Sequence, residues 1–435
     1  MIPTDTASVI TADLRRHAAR PLARRAASFG PSPWEAVIRL LDRHPNMIFF
    51  GNGAPAAELM PVARLQEAAA VVWADASRHL GYGDVAGFAP LRDLVATRMA
   101  AQGIEAAPDS LLLTNGSQQG IDLIARLLLD PGDVVVVEAP TYLGALQVFD
   151  AFEATYLTVP TDADGLRIDA LEQALAESPR RPKLLYTVPT FQNPTGSTMP
   201  RVRREALLAV IRAHGILVVE DDPYGELRYD GPAEPALRAL DPEVVYLGTF
   251  SKTIAPGLRV GWLAAPPDLV TPLLTAREAG DIHNERITAR IVHHAASGFL
   301  DDHLVGARAV YRGRRDAMLA GLADHLPSGA RWTEPQGGFF VWVELPGGLS
   351  ADALLPHAAG HGVVYLPGSW FYPDSSERGS LRLSFSTLSE EAITEGTRRL
   401  GRAVVAGLAE RGQVAHARPA PSPRPASRAA AVLRS

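Results

Sequence analysis

Four runs of this chain are apolar at one position after another: Asp133 to Pro140 (DVVVVEAP), Lys183 to Pro189 (KLLYTVP), Ile216 to Asp222 (ILVVEDD) and Val244 to Phe250 (VVYLGTF). A strand with one wet face alternates apolar and polar residues, whereas a strand apolar at successive positions has both faces covered. Helices packed above and below a parallel or mixed sheet supply that cover, which makes an α/β layered domain. Helix-length segments separate the runs between about residues 70 and 300, and Pro and Gly clusters mark their ends, where loops gather.

Beyond Leu300 the pattern changes. A long helical stretch with Arg312, Arg314 and Arg315 precedes the strand-like GGFFVWVELP and LRLSFS. This predicts a second, smaller α+β domain, and 435 residues suit two connected domains. The expected division is an N-terminal arm over 1–40, a large α/β domain over 75–300, and a small domain built from 41–74 and 301–411. The tail 412–435 is rich in Ala, Pro, Arg and Ser and has no acid. Too little of it can be buried to offset the ordering entropy, so it is expected to be disordered.

Charge and composition exclude several kinds of function. A net charge of -6 supplies no broad positive field for a phosphate backbone, so nucleic acid is not an expected partner. The chain has no cysteine, which removes disulfides, thiolate nucleophiles and cysteine-ligated metals. Met1 to Arg20 lack a basic start followed by an apolar stretch, and no run approaches the ~20 apolar residues that span a bilayer, so no membrane role and a cytoplasmic location are expected. His357 and His361 have metal-like spacing, but no acid accompanies them and no metal is expected.

Lys183 and Lys252 are the only lysines among 42 basic residues, so amine chemistry has two side-chain candidates. Lys252 lies in GTFSKTIAPGLRVGW, where a β-rich run gives way to small residues. A lysine at the mouth of a sheet and close to Arg259 has its charged form disfavoured, and Schiff-base chemistry needs the neutral amine. Thr249, Ser251 and Arg259 flank it with two hydroxyls and a guanidinium, a set suited to a phosphate dianion. In TNGSQQGIDLIARLLL, Gly116, Ser117 and Gln118 open a helix whose N–H groups and dipole favour an anion. Read alone, Ser117 is equally a helix cap. Asp221 ends a buried run, where a carboxylate can keep a pyridine nitrogen protonated, and Tyr224 and Asn193 can donate to a ring oxygen; in isolation Asp221 is also a common turn former.

Together these motifs, in this order and spacing from about Phe50 to Ser386, resemble the fold-type I pyridoxal-phosphate-dependent aminotransferases of class I/II, the group of aminoadipate, kynurenine and aromatic aminotransferases. The resemblance implies a large domain with a mostly parallel seven-stranded sheet covered by helices, a smaller α+β domain, and pyridoxal 5′-phosphate as cofactor. It implies that Lys252 carries the cofactor, Asp221 pairs with its ring nitrogen, Asn193 and Tyr224 bind its 3-oxygen and Tyr142 stacks on the ring. The phosphate would meet Gly116, Ser117, Gln118, Thr249, Ser251 and Arg259, with Tyr82 reaching across from the second subunit of a homodimer. Arg382, Gly53 and Asn193 are implied to face the substrate, Arg382 by a bidentate grip on its α-carboxylate; Asn52 stands where relatives commonly carry another glycine.

The implied reaction is ping-pong transfer of an amino group between an L-amino acid and a 2-oxo acid, 2-oxoglutarate or pyruvate, with Lys252 as general base. The same scaffold also serves lyases, decarboxylases, cyclases and oxidases that act on amino acids. A cofactor-sensing regulator would need a DNA-binding domain, for which about 40 residues ahead of the resemblance are too few. Arg15, Arg16, Arg20, Arg24 and Arg25 read as a solvated helix face or, alternatively, as an arm that offers one arginine to a distal substrate carboxylate.

Overall fold

The computed structural model of the protein describes residues 22–30, 33–43, 46–376 and 378–417. Arg15, Arg16, Arg20 and the tail beyond 417 lie outside the described residues. Arg24 opens a short helical turn, Arg24–Ser28, and pairs at the surface with Glu153 (2.6 Å).

The apolar runs form the middle of one sheet. Its strands are β1 (Leu111–Thr114), β2 (Val134–Ala139), β3 (Thr155–Asp162), β4 (Gly165–Leu166), β5 (Leu184–Thr187), β6 (Leu217–Asp221), β7 (Val245–Thr249) and β8 (Gly261–Ala264). They lie in the order β1-β8-β7-β6-β5-β2-β3-β4. Only β8 and the two-residue β4 run antiparallel to their neighbours. The expected seven-stranded sheet is therefore present with β4 added as a hairpin return at its edge.

Burial on both faces explains the unbroken apolar sequence. Val135 and Val137 of β2 pack with Ile121, Ile124 and Phe149 on one side, while Val136 packs with Leu171, Leu207 and Val218 on the other. The first layer belongs to the helices α1 (Ser117–Leu128), α2 (Leu143–Ala151) and α3 (Pro267–Asp281).

A second sheet has strands β9 (Arg331–Trp332), β10 (Phe340–Glu344), β11 (Leu366–Pro367) and β12 (Ser380–Ser384), all antiparallel, in the order β9-β10-β12-β11. The helices α4 (Leu300–His325) and α5 (Glu390–Ala417) accompany it. The N-terminal strand Ile48–Phe49 pairs in parallel with Val363–Val364. One core runs through both parts, from Leu113 and Tyr224 to Tyr311, Phe339 and Leu383. The α5 helix continues to Ala417, past Gly412.

In layered α/β sheets, ligands bind beyond the carboxyl ends of the parallel strands. Here β1 leads to Gly116, β5 to Asn193, β6 ends on Asp221 and β7 leads to Lys252, so all four emerge at that edge.

Candidate functional site

At that edge a cavity of about 300 Å³ gathers Gly53, Ser117, Gln118, Tyr142, Asn193, Asp221, Tyr224, Thr249, Ser251, Lys252, Arg259 and Arg382. A cleft of about 590 Å³ lies behind the loop Thr195–Thr198, but it lacks this convergence of buried basic and acidic groups.

One wall is an anion cup. Gly116 precedes α1 with φ 81°, and no side chain caps the helix, so the first-turn N–H groups and the positive end of the dipole face the cavity. Ser117 is the first helical residue rather than the cap. Arg259, held in the left-handed region at φ 52°, donates from Nη2 to the Asn115 carbonyl (2.8 Å). A Cβ on Gly116 would stand 2.4 Å from that nitrogen, so glycine permits the close approach. The Thr249 and Ser251 hydroxyl oxygens lie 2.8 Å apart, and the Ser251 N–H donates to Thr249 Oγ1 (3.0 Å). Behind the cup, Asp281 accepts from Asn115 Nδ2 (2.9 Å) and Gln119 Nε2 (2.6 Å).

The Gln118 side chain is turned away from the cup. Its Nε2 donates to the Gly144 carbonyl (2.6 Å) and its Oε1 accepts from the Tyr142 hydroxyl (3.2 Å). Gln118 thus fixes the Tyr142 ring and leaves its backbone N–H for an anion.

The floor holds opposed charges. Lys252 Nζ donates to the Gly53 carbonyl (3.0 Å). Burial, then the nearby Arg382 guanidinium, lowers its pKa to about 8, against the pull of Asp221. Asp221 is buried, which raises its pKa to about 7 despite a bond from the Tyr186 hydroxyl (2.8 Å). That bond occupies Oδ2; Oδ1 is buried with no hydrogen-bond partner among the described residues. A lone buried acceptor is costly unless something donates to it.

The opposite wall is built around Arg382 of β12. Its Nη1 donates to Asn193 Oδ1 (2.8 Å) and its Nη2 to the Gly51 carbonyl (2.7 Å). The guanidinium carbon stands 4.0 Å from the Phe340 ring centre and 5.0 Å from that of Phe371. Burial lowers its pKa to about 10, and among the described residues it meets no carboxylate. A desolvated fork of this kind has an affinity for a planar anion. Gly53 lies against Phe340, where a Cβ would come within 2.8 Å of the ring. Asn52 accepts from the Ala54 N–H (3.0 Å), so this departure from the expected glycine tightens the loop.

Gly116 borders the cup through Arg259, and the other anticipated residues line the cavity, with one exception. Tyr82 is 84% exposed, away from the cavity; its carbonyl is held by Arg286 (2.9 Å) and its ring meets His283 edge-on. Trp34, Val188, Pro223 and Phe340 line the cavity without having been anticipated, and Tyr186 and Asp281 stand behind it. Phe340 and Tyr186 sit in apolar runs that read as ordinary core, and Trp34 lies in the short helix Pro33–Arg43 with no motif around it.

Residues 45–400 match the sequence profile of the family described as aminotransferase class I and II. The chain is 40% identical over 388 residues to aromatic-amino-acid aminotransferase 1 of Thermococcus litoralis, covering 87% of this chain and 93% of that protein. It is 40% identical over 375 residues to 2-aminoadipate transaminase of Thermus thermophilus, covering 85% and 93%. The crystal structure of kynurenine aminotransferase from Pyrococcus horikoshii, in complex with PMP, superposes with a TM-score of 0.85 at 37% identity, covering 92% of this chain and 99% of that one.

Proposed function

This chain belongs to the class I and II aminotransferases and works with pyridoxal 5′-phosphate, and from that premise we propose that Lys252 carries the cofactor and Arg382 the substrate α-carboxylate. The observation that carries this reading is the meeting, in one cavity, of a lysine with a lowered pKa, a buried arginine and an aspartate with a buried oxygen, where among the described residues the arginine faces no carboxylate and the oxygen has no partner.

The residues fit the group on their own chemistry. Asp221 Oδ1 suits a protonated ring nitrogen, whose charge would offset the cost of burying the carboxylate. The uncapped α1 terminus, Ser251 and Arg259 suit its phosphate, and Tyr142 suits a ring face. Asn193, with Oδ1 committed to Arg382, keeps its amide N–H₂ for a ring oxygen, and the Tyr224 phenol has the same role. When bound, pyridoxal phosphate supplies an aldehyde that takes up the amino group and a cationic ring that draws electrons from the substrate Cα.

The protein does the rest. Arg382 fixes the α-carboxylate and so the direction of the Cα–H bond. Lys252 Nζ would take the Cα proton and later return one; its neutral fraction grows as pH rises through about 8. Asp221 would keep a proton on the ring nitrogen. The packing of Phe340 and Phe371 about Arg382 limits water near that grip. Tyr82 is assigned to the neighbouring site of a homodimer, a reading supported by its exposure and by the backbone hold of Arg286 on its loop.

The substrates follow as an L-amino acid and a 2-oxo acid, with 2-oxoglutarate or pyruvate as acceptor. A panel of L-amino acids tested against both acceptors checks this. The expected result is one equivalent of new amino acid per donor consumed. Release of ammonia or carbon dioxide with no new amino acid would instead indicate a lyase, oxidase or decarboxylase.

A further inference from the structure

Tyr186 stands in the middle of β5 with no accessible surface. Its register partner on β6 is Val219, so Asp221, two residues further along β6, lies on the same face of the sheet. The ring packs edge-on against Phe149 of α2, with centroids 5.8 Å apart. Phenylalanine would fill the same apolar space, since packing requires only the ring. The hydroxyl is the extra feature, and its partner is Asp221 Oδ2 at 2.8 Å.

That bond treats the two carboxylate oxygens differently. Oδ2 is saturated by a neutral donor, while Oδ1 is buried at the cavity with no partner among the described residues. Rotation of the carboxylate out of its present plane about the Cβ–Cγ bond would break the bond to the phenol and swing the other oxygen off the cavity. We propose that Tyr186 is a positioning residue which locks the Asp221 carboxylate with Oδ1 toward the cofactor ring nitrogen and keeps that oxygen less basic than the ring. The proposal rests on the assignment of Asp221 to the ring nitrogen made above.

Several charged and titratable groups share this space. Burial and Asp222, just beyond the end of β6, both favour a protonated Asp221, while the Tyr186 hydroxyl and Lys252 favour the anion. Tyr142, at the start of α2, and Glu138 of β2 act on Tyr186 from the other side. Burial and these neighbouring acids hold the Tyr186 phenol protonated well beyond the usual range, so it remains a donor at every working pH. Among the described residues the phenol is the only hydrogen-bond donor to the Asp221 side chain. Without it, Asp221 becomes the stronger base and draws the shared proton off the ring.

A ring without its proton withdraws electrons less strongly from the nitrogen linking the cofactor to Lys252, so that nitrogen should hold its own proton to higher pH. The test is the absorbance of the Lys252-bound cofactor, titrated with pH in holoenzyme. Tyr186→Phe should raise the midpoint by about half to one pH unit, roughly half of the one to two units that a hydrogen bond to a charged group is worth at the carboxylate itself. Asp221→Asn should raise it at least as far, and adding Tyr186→Phe to Asp221→Asn should then change nothing more.

Replacing Tyr186 by 3-fluorotyrosine keeps the ring and strengthens the donor, and should move the midpoint downward; this variant decides the matter should Tyr186→Phe fail to fold. An unmoved midpoint in the tyrosine variants, with Asp221→Asn clearly shifted, overturns the role of Tyr186 alone. An effect of Tyr186→Phe that persists undiminished beside Asp221→Asn also overturns it, because a purely structural role acts independently of the carboxylate. An unmoved midpoint in Asp221→Asn instead removes the ring assignment itself.

Discussion

Arg382 shows how a single side chain is held ready for the partner proposed for it. Its fork is already oriented by Asn193 and Gly51 and stacked between two phenylalanines, so little freedom is left to lose when an anion arrives. Lysine keeps the charge but cannot make two parallel bonds from one plane. Arg382→Lys should lower kcat/KM for the amino acid by about a hundredfold, the scale of about 2.7 kcal/mol for charge-assisted bonds, measured by steady-state kinetics with the holoenzyme. A fall of less than threefold would mean that the carboxylate is held elsewhere. The place of Lys252 in the cavity was legible in the sequence because two hydroxyls and an arginine surround one of only two lysines. Tyr186 was not, since a tyrosine inside KLLYTVP has no local mark separating a buried donor from core filling, and only the strand register brings it to Asp221.

At the scale of elements, the site depends on where strands stop and one helix starts. The runs that spelled out β2, β5, β6 and β7 were readable because burial on both faces forbids polar alternation. The edge strand β4 was not, because two residues in a hairpin return carry no periodicity. At α1 the sequence left Ser117 as cap or anion ligand, and the backbone removes the first reading by giving the cap position to Gly116. Gly116→Ala should strain the backbone at φ 81° and push its Cβ into Arg259, which would have to release Asn115. At a cost of about 1 to 3 kcal/mol, cofactor affinity should fall roughly five- to 150-fold, read by titrating apoenzyme with pyridoxal phosphate and following fluorescence. Unchanged affinity would show that the α1 terminus does not hold the phosphate.

Across the whole molecule, the cavity draws walls from both domains, because Arg382 and Phe340 come from the small sheet while Lys252 and Asp221 come from the large one. Among the described residues no helix is long and apolar enough to cross a membrane. The proposed role of Tyr82 came from the family resemblance alone, since its target belongs to a second copy. Mixing Lys252→Ala and Tyr82→Ala proteins under conditions that allow subunit exchange should restore activity beyond either alone, because one site of each mixed dimer would have both residues intact. If mixing restores nothing although dimers exchange, Tyr82 acts within its own subunit or not at all. The most direct measurement for the whole account is hydride reduction of the yellow holoenzyme followed by peptide mass analysis. The account predicts a single pyridoxyl adduct on the peptide containing Lys252, and an adduct on Lys183, or none at all, would contradict it.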